Sequence, residues 1–158
     1  MDTQAHTQGI IELLRRGGAH QGIQGAAPAE VLKNFIAKVP LPAGLEQARL
    51  VSAVLERELL MPTGIGRGIA LPHPKNPLTT DTQEQLVAVA FLSQPVDWRA
   101  LDGEPVHTAI LIISASIKLH LNTLSWINFL CQQPHFQSLL KNQAPLEALI
   151  KAVQGFMA

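Results

Sequence analysis

Two uninterrupted apolar runs constrain this chain most. "LVAVAFL" (86–92) and "VHTAILII" (106–113) are each of strand length, and the second is rich in β-branched residues. A strand with one wet face alternates apolar and polar side chains; one that is apolar throughout needs cover on both sides. The turn-forming "LDGEP" (101–105) precedes the second run, so the two read as separate strands of one buried sheet. A chain of 158 residues, 47% of them hydrophobic, is long enough to supply that cover from a single core.

Helical segments stand on either side of the runs. "IIELLRRGG" (10–18) reads as a short helical turn stopped by two glycines, and "AHQGIQG" (19–25) as a short strand. "PAEVLKNFIAKV" (28–39) opens with Pro and an early Glu, and Val31, Leu32, Phe35, Ile36 and Val39 fall on one helical face. After the break "LPAG" (41–44), "LEQARLVSAVLERELL" (45–60) is a second helix, ended by Pro62. The C-terminal third predicts three more, at 119–133, 135–142 and 145–154. The expected fold class is α/β: one three-layer domain over residues 1–158, a mixed β-sheet flanked by helices on both sides.

Composition narrows the function classes. Lys plus Arg and Asp plus Glu are 12 each, so no net positive charge draws the chain to nucleic acid or anionic lipid. The apolar run around "AILIISASI" (109–117) is too short to cross a bilayer, and "MDTQAHTQGI" carries no secretory pattern. A soluble cytoplasmic protein is expected, with neither nucleic acid as partner nor direct membrane insertion. Cys131, the single cysteine, rules out an intramolecular disulfide and a Cys-rich zinc site, and reads as a small buried hydrophobe.

Between the second helix and the first long strand lies "TGIGRGIALPHPK" (63–75). Gly64, Gly66 and Gly68 can bend tightly and present amides to an anion. They form neither a dinucleotide fingerprint nor a P-loop, and alone they read better as an ordinary turn. His73 is more informative: Pro72 and Pro74 stiffen the backbone around a ring able to act as neutral nucleophile, base or metal ligand. The remaining histidines, His6, His20, His107, His120 and His135, make no HxH or HxxxH pair, so nothing favours a metal. No GxSxG elbow accompanies Ser93, Ser114 or Ser116. Arg57, just ahead of the loop, can clamp phosphate oxygens, although spacing alone favours a solvated helix arginine between Glu56 and Glu58. His120, where a strand gives way to a helix, reads equally as site or packing residue.

Taken together, "LERELLMPTGIGRGIALPHPKNPL" resembles the active-site signature of the fructose, mannitol and nitrogen-regulatory class of enzyme IIA (type 2) of the bacterial phosphoenolpyruvate-dependent phosphotransferase system. "VDWRALDGEPVHTAILIISAS" and "LHLNTLSWINFL" extend the resemblance over most of the chain. It implies that His73 accepts a phosphoryl group from HPr or an HPr-like carrier. Arg57 and His120 then stabilise the phosphoryl group, and Thr63, Gly64, Gly66 and Gly68 form the phosphate loop. It further implies no metal and no organic cofactor, with a IIB domain or a regulatory target as acceptor. Ile65 and Leu71 are candidates for a docking rim, Leu71 equally for the core.

Two departures bear on subtype. Pro74 and Lys75 stand where many transport members carry Gly, and "SIKLHL" lacks the acidic residue that often precedes the second histidine. With no room for fused transporter modules, the resemblance points to a free-standing nitrogen-regulatory IIA. A sugar-specific IIA feeding a separate IIB, and a non-catalytic interaction module with the same fold, are the alternatives.

Overall fold

The computed structural model describes residues 3–156; residues 1–2 and 157–158, the ends of the expected 1–158 domain, lie outside the described residues. The elements run α1 (Thr3–Gly17), β1 (Ala19–Ile23), α2 (Pro28–Ile36), α3 (Gln47–Leu60), β2 (Gly64–Gly66), β3 (Ile69–Ala70), a 3-10 turn (Thr82–Glu84), β4 (Leu86–Val96), β5 (Val106–Ile113), α4 (Ile117–Cys131), α5 (Pro134–Lys141) and α6 (Leu146–Phe156). The five strands form one sheet in the order β1-β4-β5-β3-β2. β4 and β5 are antiparallel at its centre, β1 joins β4 and β3 joins β5 in parallel, and β2 closes the edge antiparallel to β3.

The two apolar runs are the two central strands. Their side chains alternate between two cores, because successive Cβ atoms point to opposite faces. Val87, Val89, Phe91, Ile110 and Ile112 pack with α1, α4, α5 and α6. Leu86, Ala88, Ala90, Leu92, Ala109, Leu111 and Ile113 pack with α2 and α3. Helices therefore cover both faces of a mixed sheet, as the uninterrupted hydrophobicity required. Cys131 is buried in the first core, and burial pushes its thiol up to about 12.

Two elements differ from the sequence reading. α1 begins at Thr3, well before the apolar run that marked it, and ends as expected: Gly18, at φ +77°, donates back to the Leu14 carbonyl at 2.8 Å. The stretch read as an ordinary turn without strands of its own is the β2–β3 hairpin. Arg67 (φ 59°) and Gly68 (φ 78°) form its two-residue turn, and that turn needs positive φ at both places to match the strand twist. The Arg67 amide donates to Asp102 Oδ2 at 2.7 Å, and the Gly68 carbonyl accepts from the His107 and Thr108 amides at 2.8 and 3.1 Å. Among the described residues no helix is long and apolar enough to cross a membrane.

Candidate functional site

The hairpin leads β3 alongside β5, and the pairing continues past the strand. The Leu71 amide donates to the Thr63 carbonyl at 3.0 Å on one side, and the Ile112 amide to the Pro72 carbonyl at 3.1 Å on the other. His73 thus emerges at the C-terminal end of β3, next to the C-terminal end of its parallel neighbour β5. Four residues after β5 ends, α4 begins, capped by Ser116, whose hydroxyl accepts from the Leu119 amide at 3.1 Å. His120 is in that first turn. Ligand sites of open α/β sheets fall at such strand ends, and here the topology brings together two histidines far apart in sequence.

Their ring centroids are 4.6 Å apart, with planes inclined at 39°. Both rings line a cavity of about 260 Å³ together with Lys75, Ile112, Ile117 and Leu121. His73 Nδ1 is 2.8 Å from the Leu71 carbonyl oxygen. A carbonyl only accepts, so Nδ1 carries the hydrogen and the Nε2 lone pair remains free. Burial lowers the His73 pKa from its ordinary value; the Leu71 hydrogen bond opposes this, the Arg57 charge adds to it and Glu58 opposes it. His120 is pushed down to about 4 by burial first, then by the charges of His73 and Arg57. Both rings are therefore neutral near pH 7.

Arg57 acts electrostatically on both imidazoles but does not line the cavity. Its Nη1 donates to the Met61 carbonyl at 2.6 Å, leaving its remaining N–H groups for another acceptor. Thr63 is buried, and Gly64, Gly66 and Gly68 belong to the hairpin; none of the four lines the His73–His120 cavity. The turn that was expected to present amides to phosphate sits at the opposite end of β3 from His73. Leu71 is a core residue at 2% exposure, whereas Ile65 is exposed.

Sequence reasoning passed over Glu58, taken only as a charged neighbour of Arg57. Its carboxylate accepts from both the amide and the hydroxyl of Thr63, at 3.0 and 2.6 Å. The signal available was an acid at a helix end, five residues before a Thr that follows Pro. Among the described residues no three His, Cys, Asp or Glu side chains gather as a metal-holding group.

A mixed sheet covered on both faces, with one imidazole just past β3 and a second in the first turn of α4, defines a small α/β protein with a paired-histidine pocket. The chain belongs to the EIIA 2 family of the phosphoenolpyruvate-dependent sugar phosphotransferase system, which matches residues 24–155. It is 30% identical over 149 residues to the nitrogen regulatory protein of Pseudomonas aeruginosa, covering 91% of this chain and 94% of that one. Against the nitrogen regulatory protein of Klebsiella oxytoca it is 36% identical over 100 residues, 62% of this chain and 59% of the relative's length. In structure it resembles the nitrogen regulatory protein IIA-Ntr of Neisseria meningitidis, with a TM-score of 0.76 at 20% identity over 91% of this chain and 98% of that one. The fold is also that of Escherichia coli enzyme IIAMtl in its complex with phosphorylated IIBMtl, with a TM-score of 0.62 at 16% identity over 87% and 94% of the two chains.

Proposed function

We propose that this chain is a phosphohistidine carrier of the nitrogen-regulatory kind. His73 takes a phosphoryl group from an HPr-like protein in the cytoplasm and holds it as a signal or passes it to a partner. The observation that carries this reading is the Leu71 carbonyl bond to His73 Nδ1, which leaves Nε2 as the nucleophile. In the transfer, the donor's P–N bond breaks as a new one forms between phosphorus and His73 Nε2. The donor nitrogen recovers its lone pair, and His73 keeps its Nδ1 hydrogen. The phosphorylated ring is then cationic, so its bond to Leu71 becomes charge-assisted and strengthens.

Charge spread over the phosphoryl oxygens needs donors nearby. Arg57 and His120 are the groups for that role, and Lys75 is at the cavity wall. Pro72 and Pro74 hold the ring ready, cutting the entropy lost at each transfer. Thr63 and the glycine hairpin support the strand that carries His73 and leave room for the donor to approach. The exposed side chains of Ile117 and Leu121 beside the cavity, with Ile65 further along, make an apolar rim suited to docking two different partners in turn.

Labelling with 32P from HPr-like donors tests the reading. Wild type takes up label, and His73→Ala, still folded, takes up none; equal labelling of the two overturns the assignment. A second reading, a sugar-specific IIA discharging to a separate IIB, has in its favour the fold shared with an enzyme IIA seen bound to its phosphorylated IIB. Rapid discharge to a cognate IIB distinguishes it. A non-catalytic module would take label from no carrier and keep its binding in His73→Ala.

A further inference from the structure

Behind the histidine pocket runs a chain of hydrogen bonds that begins on α3. Glu58 Oε1 accepts from the Thr63 amide at 3.0 Å and Oε2 from the Thr63 hydroxyl at 2.6 Å. The Thr63 carbonyl accepts from the Leu71 amide at 3.0 Å. The Leu71 carbonyl accepts from His73 Nδ1 at 2.8 Å. We infer that Glu58 is the positioning residue for His73, holding the ring's tautomer and direction through Thr63 and Leu71; this rests on His73 being the phosphoacceptor.

The links join residue to residue rather than along one peptide group, so the effect is mechanical. The chain leaving α3 has to cross from the helix layer to the sheet edge within three residues, Met61 to Thr63, and Pro62 lacks an amide to pair there. Arg57 fastens the first of these residues through its carbonyl, and Glu58 fastens the last through two donors. Thr63 is 6% exposed, so its donors have little water to turn to if the carboxylate is removed. Once Thr63 is free to shift, the Leu71 segment loses its anchor on the β2 side and is held only from the β5 side, where the Ile112 amide donates to the Pro72 carbonyl. His73 Nδ1 depends on the Leu71 carbonyl alone to choose its tautomer. Glu58 also makes protonation of His73 somewhat easier. That effect opposes a neutral nucleophile, so charge alone does not account for an acid at this position.

The substitutions separate geometry from charge. Glu58→Gln retains an oxygen for the Thr63 amide and offers its own N–H to the Thr63 hydroxyl, which can accept. It keeps both links and loses the charge. Glu58→Ala loses both links, and Thr63→Val loses only the hydroxyl link in a residue of matching shape.

The test is 15N-edited NMR of the His73 imidazole in the unphosphorylated full chain, together with the phosphoryl-transfer rate from an HPr-like donor. Wild type and E58Q should show a single Nδ1–H tautomer and rates within about threefold of each other. E58A should show a tautomer mixture and a rate loss of roughly tenfold to a hundredfold, the scale of a misplaced reacting group. T63V, which also stands in should E58A fail to fold, falls between. An E58A or T63V protein with wild-type tautomer and rate overturns the inference, as does E58Q losing as much as E58A. Failure of wild type to accept phosphoryl from any donor removes the carrier reading, while the tautomer spectra still decide the role of Glu58.

Discussion

His73 and His120 face one another at 4.6 Å between ring centroids, and a proton on His73 discourages one on His120. The His73 charge is one of the causes that hold His120 down at about 4. Placing a doubly negative phosphoryl group on His73 reverses the sign of that influence, because an opposite charge within a few ångströms favours the protonated ring. Phosphorylation should therefore raise the His120 pKa from its resting value of about 4, against the burial that is the largest cause of its lowering, and move the ring toward a counter-ion for the phosphoryl group. Following the His120 Cε1–H resonance against pH in both forms measures this; a midpoint unmoved by phosphorylation would remove His120 from the phosphate's surroundings.

The same depressed pKa ties stability to pH. His120 binds a proton less readily folded than unfolded, so unfolding takes up a proton between about pH 4 and 6.5. Its contribution is intact above 6.5 and is lost as pH falls toward 4; His73 and His107, also lowered by burial, act in the same direction. For a half-exposed ring screened by solvent, the His120 share is about 1–2 kcal/mol. Urea unfolding at pH 7, 6 and 5 should show stability falling with acid, and His120→Gln should flatten the slope.

What could be read from the residues follows from how locally each feature is determined. Helix α2 announces itself through Pro28 and the spacing of Val31, Leu32, Phe35 and Ile36, all of which are buried. β4 and β5 announce themselves through composition, and the burial of Cys131 through its apolar surroundings. The β2–β3 hairpin is hidden because its strands are three and two residues long and its turn uses Arg67 at a positive φ that no residue pattern advertises. Leu71 read equally as docking rim or core, and the pairing of β3 with β5 places it in the core. His73 was singled out by its two prolines, but its partnership with His120 depends on a parallel pairing between distant segments. Glu58 was missed because its value lies in how α3 ends, which side-chain spacing does not encode.

The glycine turn offers a comparison between backbone strain and crowding. Gly22 (φ +67°) has open space where a Cβ would go, whereas a Cβ on Gly68 (φ +78°) would collide with the His107 ring. Gly22→Ala should cost about 1 kcal/mol from its backbone angle alone. Gly68→Ala adds the clash and should cost about 2–3 kcal/mol. Because Gly68 is at the far end of β3 from His73, the transfer rate per folded molecule should change by less than about threefold. A larger loss in folded Gly68→Ala would support the glycine loop as part of the phosphate site.

Arg57 supplies the sharpest separation between catalysis and stability. In the resting protein its guanidinium caps the Met61 carbonyl at an exposed helix end, a bond worth about 0.5–1 kcal/mol. Against phosphate it would make charge-assisted contacts worth roughly 1.5–3 kcal/mol, equal to about one to two decades in rate. Arg57→Ala should therefore slow phosphoryl transfer by that factor while the urea midpoint barely moves. Arg57→Lys should recover part of the rate, since it restores the charge but not the fork that grips two oxygens. Rapid-quench transfer kinetics on both variants, beside their unfolding curves, give the comparison. A rate drop below about threefold in Arg57→Ala would leave Arg57 as a helix-capping residue and assign the phosphate's positive partner elsewhere in the pocket, with Lys75 the first to replace.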